Sequence, residues 1–113
     1  MTEESQMLIW QAEVTHPKEA EEAKEALRDV VDPEIGLNLI ELGLIRDLTI
    51  DAEKAHIIMI LTTPFCPYGP ALLEMARKKV EEALNLSTTI EVGMQMWDPT
   101  MMEEGVGADW GLF

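Results

Sequence analysis

A chain of 113 residues carrying 22 acidic against 8 basic side chains, for a formal net charge of −14, is long enough for one domain and too short for two. Charge of that sign repels phosphate backbones and anionic headgroups, so it argues against nucleic acid and membrane surfaces and favours basic proteins or metal ions. Apolar residues supply 47% of the chain and aromatic ones only 5%, which points to an aliphatic core that needs no staple at this length.

Residues 1–15 form an acidic and apolar lead-in with no assignable element. Pro17, after Thr15 or His16 at the cap, opens a helix whose apolar stripe is Ala20, Ala23, Leu27, Val30 and Val31. Pro33 disfavours helical geometry at Asp32 and sets the expected stop there. Residues 34–42 are irregular but too apolar for a linker, and are expected to pack on the core. From Leu44 the pattern alternates: Ile45, Asp47, Thr49 and Asp51 on one side, Leu44, Leu48 and Ile50 on the other, with Arg46 out of step. Residues 51–55 read as a turn. His56 to Thr62 read as a second strand, whose near-continuous apolar run predicts a central position covered on both faces.

Thr63 to Pro70 is a loop stiffened by three prolines. A helix from about Ala71 to Leu84 follows, burying Leu72, Met75, Ala76, Val80, Ala83 and Leu84, with Asn85 closing it in a left-handed conformation. Thr88 to Met96 gives a third strand. The order helix, strand, strand, helix, strand implies a small α/β (α+β) domain: a three-stranded sheet with helices packed on one face. The domain proper is expected over 16–104. The tail 105–113 carries Val106, Trp110, Leu112 and Phe113 and is expected to be an interaction element.

Cys66 is the single cysteine, so no intrachain disulfide framework exists. The acidic N-terminus lacks the positive charge of a signal peptide, and the cluster Met7–Trp10 is far shorter than a membrane span. A cytoplasmic location is therefore expected. Cys66 stands where a strand hands over to a helix, where free N–H groups and the helix dipole favour a thiolate; a small buried hydrophobe is the other reading. Asp32 and Glu34, with Gly36 and Asn38 beyond, offer two carboxylates for a cation, a basic partner or a proton. An ordinary Asp-Pro helix terminator accounts for them as well. His16 and His56 lie at no ligand spacing from Cys66, and one cysteine cannot complete a four-thiolate cluster. No glycine-rich phosphate loop occurs, and Cys66 has no evident base to serve it as an enzymatic nucleophile.

Three segments carry a resemblance. Residues 32–45, DPEIGLNLIELGLI, residues 61–67, LTTPFCP, and residues 97–102, WDPTMM, together resemble the SufT- and PaaD-like iron–sulfur cluster assembly domain family, over about residues 18–102. That resemblance implies a NifU C-terminal-like α/β fold and a role in iron–sulfur protein maturation. Carried over position by position, Asp32, Glu34 and Asn38 match the acidic motif. Thr62 and Thr63 match the residues ahead of the functional thiol, Cys66. It implies a transient iron or iron–sulfur cluster at Cys66, action beside carrier or scaffold proteins and apoprotein clients, and a homodimer as one expected state. A metal-free adaptor is the alternative, and a thiol-dependent enzyme ranks behind both. Phe65 departs from the glycine frequent in the family and is expected to narrow the approach to Cys66. The tail after Met102 departs too, and the cysteine-rich extension of true PaaD subunits is missing.

Overall fold

The computed structural model describes residues 10–63 and 67–103. Helices α1 (Gln11–Thr15), α2 (Pro17–Leu27), α3 (Leu39–Leu42) and α4 (Gly69–Leu84) combine with strands β1 (Ile45–Ile50), β2 (Lys54–Met59) and β3 (Ser87–Val92). A 3₁₀ turn, Pro99–Met101, follows them. The sheet order is β1-β2-β3, with β1 antiparallel and β3 parallel to the central β2. The expected mixed fold, one three-stranded sheet with helices on one face, is the fold observed.

Helix α2 starts on Pro17 and buries Ala20, Ala23 and Leu27. It ends five residues earlier than Pro33 requires. Arg28 N–H is shared between the carbonyls of Lys24 and Glu25, and Val30 N–H reaches back to Leu27. The chain then extends so that Val31 pairs with Asn38 and Val30 accepts Leu39 N–H. Val31, expected on the buried stripe, is therefore exposed. Helix α4 buries Leu72, Ala76 and Val80 against the sheet, and Asn85 closes it at φ 57°. Met75 and Ala83, also expected inside, face solvent.

The alternation in β1 holds, and Arg46 is out of step because a β-bulge falls between Ile45 and Asp47. The bulge returns Ile45 to the covered face with Leu48 and Ile50. On β2, Ala55, Ile57 and Met59 lie under the helices, whereas His56 and Ile58 are only half-buried. Among the described residues, then, β2 is central but covered on one face, not both. It ends at Met59 rather than Thr62, because β1 begins at its partner Ile45 and β3 ends at its partner Val92. Gly93 N–H makes the last bond, 2.8 Å to the Met59 carbonyl, and the chain leaves the sheet before Met94. Residues 93–96 are thus not strand. Helix α1 was not foreseen. Trp10, just ahead of it, is buried, donates its indole N–H to the Ile45 carbonyl (3.1 Å) and lies under Lys24, 5.2 Å from its ring.

Asn38 and Glu41 cap α3 reciprocally: Asn38 Oδ1 accepts Glu41 N–H at 2.8 Å, and Glu41 Oε1 accepts Asn38 N–H at 2.9 Å. Gly43 then turns the chain into β1 at φ 73°. Around that turn the carbonyls of residues 41 to 44 each accept a bond from elsewhere. Glu41 accepts Glu103 N–H (2.8 Å), Leu42 the Trp97 indole (2.7 Å), Gly43 the Arg46 guanidinium (2.9 Å) and Leu44 the Ile60 N–H (2.9 Å). The Arg28 guanidinium also holds Glu103, through two bonds of 3.0 and 2.7 Å.

Gly43→Ala tests this turn. A Cβ there would stand 1.9 Å from the Met101 carbonyl oxygen, in a backbone conformation L residues rarely adopt. The substitution is expected to cost at least about 2 kcal/mol, read as a lower thermal midpoint. A second test uses acid. The bonds to Arg28 hold the Glu103 carboxyl below the usual carboxylate range, against a smaller upward push from burial. A depressed folded pKa contributes stability that is present above the unfolded pKa and lost as pH falls through the folded one. Thermal midpoints measured on acidification should therefore fall less steeply in Glu103→Gln than in the wild type, and the two should converge at low pH.

Candidate functional site

The three segments that carry the family resemblance meet at one end of the sheet, where β2 and β3 finish and β1 begins. Leu44, closing the first, accepts Ile60 N–H just ahead of the second; Leu42 accepts the Trp97 indole that opens the third. This is the end of parallel strands at which α/β sheets usually place ligands.

Asp32 is 1% exposed and organises the loop ahead of α3. Its Oδ1 accepts Glu34 N–H at 2.9 Å, its carbonyl accepts Gly36 N–H at 2.7 Å, and its own N–H donates to Leu37. Gly36 closes the loop at φ 85°. Burying a carboxylate is costly unless it is bonded, and here one oxygen is engaged in holding the turn. Asn38 is engaged in capping α3. Glu34, at the exposed tip of the same loop, is the acid left facing solvent. The structure therefore brings Asp32, Glu34 and Asn38 together but gives two of them a scaffolding task.

Thr62 and Thr63 are half-buried just beyond the end of β2. The backbone link between them and the Asp32 loop runs through Leu39, Leu44 and Ile60, since Leu44 N–H donates to Leu39 and Ile60 N–H to Leu44. Cys66, with Pro64 and Phe65, lies outside the described residues, as does the tail from Glu104. The flanks of Cys66 are held. On one side stands the anchored Ile60. On the other is Gly69, first residue of α4, packed so closely on Leu61 that an added Cβ would lie 2.8 Å from its Cδ1. A side chain at position 69 would require the Leu61 side chain to shift.

Arg46 was not singled out by sequence, although its break in the alternation was the available signal. It is half-buried at this same end, bonded to the Gly43 carbonyl and, at 3.2 Å, to Gln95 Oε1. Burial pushes its pKa below the usual arginine range, with the charge of Asp98 acting the other way. It puts a cation beside segments otherwise rich in acid. The histidines are occupied elsewhere. His16 Nδ1 meets Thr15 Oγ1 ahead of α2; His56, on the open face of β2, meets Thr89 Oγ1 at 2.6 Å and Glu91 Oε1 at 2.7 Å. Among the described residues no three His, Cys, Asp or Glu side chains cluster closely enough to hold a metal ion. Nor is any described helix long and apolar enough to cross a membrane.

A family model described as iron-sulfur cluster assembly protein matches residues 20–92. That range takes in the first two segments and stops short of Trp97. The Fe-S protein maturation auxiliary factor YitW of Bacillus subtilis is 36% identical over 75 residues, covering 66% of this chain and 72% of its own. The auxiliary factor SufT of Staphylococcus aureus is 32% identical, over 62% of this chain and 78% of its own. An iron-sulfur cluster carrier protein of Synechocystis is 33% identical over 70% of this chain, but the match spans only 24% of that longer protein. Among solved structures, a domain of unknown function from Bacillus anthracis covers 88% of this chain and 98% of its own at TM-score 0.77 and 22% identity, a likeness of fold. A conserved hypothetical protein of Thermotoga maritima reaches TM-score 0.61 at 33% identity, over 80% and 92% of the two chains. With its fold, its motifs and most of its length in agreement, the chain belongs to the iron–sulfur cluster assembly protein family.

Proposed function

We propose that this protein is a maturation factor in which Cys66 takes up iron or an iron–sulfur cluster transiently and hands it to an apoprotein, without turning over a substrate of its own. The observation that carries this reading is positional. In sequence, the single cysteine falls seven residues beyond the last residue of the central strand and three ahead of a 16-residue helix, between Ile60 and Gly69, which are both held. The N-terminal end of such a helix favours the thiolate, which is the metal-binding form. One thiolate holds a cluster only with ligands from a second chain or a client, which suits a hand-over and not permanent storage. The names of its relatives, maturation auxiliary factors and a cluster carrier, support the same reading. Catalysis by the thiol finds less support, because both histidines are engaged away from the strand end. In this scheme Glu34 offers an exposed charge for an incoming cation or a basic partner, while Asp32 and Asn38 fix the loop that presents it. A cytoplasmic setting with carrier or scaffold proteins as neighbours follows from the same role.

Anaerobic reconstitution with ferrous iron and sulfide tests the thiol. The wild type should gain thiolate-to-iron charge-transfer absorbance and Cys66→Ser should not. A wild type that stays colourless while still binding a client would make the protein a metal-free adaptor. Alkylation of Cys66 followed against pH should show a midpoint below that of free cysteine in the same buffer. The loop residues should separate by readout. Asn38→Ala is expected to lose about 1 kcal/mol of stability with the helix cap. Glu34→Ala should leave the thermal midpoint unchanged and lower the yield of iron loading or transfer.

A further inference from the structure

The two edges of the sheet are treated differently. The outer edge of β1 is guarded by the bulge at Arg46, by the Trp10 indole on the Ile45 carbonyl, and by Gln11, which donates through its backbone and side chain to Asp47 at 2.9 and 2.7 Å. On β3, Thr88 alone is guarded: its N–H donates to Glu81 and its carbonyl accepts from Arg77, both on α4. Since Gly93 N–H points inward to Met59, ladder alternation turns the N–H and C=O of Ile90 and Val92 outward. Neither has a partner among the described residues. Beside them Val92 is 52% exposed, Met94 98% and Met96 80%. An edge with no proline, lysine or bulge, and with unpaired outward groups at Ile90 and Val92, is a template for an added strand.

Charge selects the occupant. A second copy would bring another −14 against this surface, and repulsion opposes that pairing. Locally Glu74, Glu81 and Glu91 outnumber Arg77, which two of them already neutralise at 2.8 and 3.1 Å. Methionine side chains adapt to varied apolar surfaces. We infer that the free edge of β3 docks an extended segment of a partner protein in which basic and apolar residues alternate. Basic side chains lie beside Thr89 and Glu91 on the open face, and apolar ones beside Ile90 and Val92. None of these contacts uses Cys66, so peptide docking is tested independently of iron binding.

The probe is a nine-residue peptide of alternating lysine and valine, added to the full chain. In the free protein the Ile90 and Val92 amides should exchange quickly with solvent while the inward Glu91 amide is slow. On binding, Ile90 should slow by about tenfold or more, as a paired edge requires. An isomer of equal charge with proline in place of alternate valines should not produce that protection, and a glutamate–valine peptide should not bind. Val92→Pro removes an outward donor without touching the β2 ladder, and Val92→Lys opposes the guest by charge; each should lower affinity about tenfold or more at unchanged thermal midpoint. Equal binding of the proline peptide, or of both variants, would mean attraction by net charge alone and overturn the proposal. So would Ile90 and Val92 amides already protected in the free protein, whether by the chain's own termini or, as sedimentation would show, by a second copy.

Discussion

The run of carbonyls from Glu41 to Leu44 is the constraint on which the rest of this structure depends. The last carbonyls of any helix have no partner within it, and α3 is so short that nearly all of its carbonyls are in that position. Each of the four is taken up by a group distant in sequence or by a side chain reaching back, from Arg46, Ile60, Trp97 and Glu103. One turn thereby fixes where β1 enters the sheet, where the central strand ends, and where the chain returns after β3. Gly43 is required because the Met101 carbonyl occupies the space a side chain would fill. Thr62 and Thr63, which lead toward Cys66 in sequence, follow directly on the Ile60 that Leu44 anchors.

Charge enters this frame at two points, Arg46 on the Gly43 carbonyl and Arg28 on Glu103, and otherwise acts at the surface. Four of the cations among the described residues are ion-paired: Lys24 with Glu13, Arg28 with Glu25 and Glu103, Arg77 with Glu74 and Glu81, and Lys79 with Asp29. Exposed pairs of this kind contribute little to stability each. Their larger effect is subtraction, since they leave a surplus of acid on the surface. That surplus raises the local concentration of cations and basic segments, while it opposes ionisation of any nearby thiol. A thiolate near this surface depends correspondingly more on a helix N-terminus or a bound metal ion.

The sequence made the layer architecture legible because its signals were periodic: Ala20, Ala23 and Leu27 on α2, Leu72, Ala76 and Val80 on α4, alternation in β1. It misled where pairing overrode propensity. Val30 and Val31 continue the helical pattern, yet the bridge to Asn38 and the bond to Leu39 N–H draw them out of the helix. The apolar run of β2 suggested burial on both faces, but Ile58 lies on a face where His56, Thr89 and Glu91 are its neighbours. Helix α1 was illegible because its stability is tertiary: five residues form no stable helix alone, and it rests on Trp10 and Asp47. At the candidate site the ordinary turn reading of Asp32 is the one its bond to Glu34 N–H bears out, whereas the Asn38–Glu41 cap was not read, since capping bonds are invisible before the loop is closed.

Those tasks sharpen the division between shape and chemistry. Two of the motif residues, Asp32 and Asn38, already spend side-chain oxygens on backbone N–H groups at 2.9 and 2.8 Å. Turning the bonded oxygen of either toward a metal would release a donor within a tightly folded loop, at a cost of roughly 1–3 kcal/mol for each group left unsatisfied. A ligand meant to be gained and lost repeatedly is better drawn from side chains that hold nothing else in place. Glu34, at the exposed tip of the loop, meets that requirement. Under the proposed function, a transient site that draws on Glu34 would load and empty without disturbing the turn at Gly43.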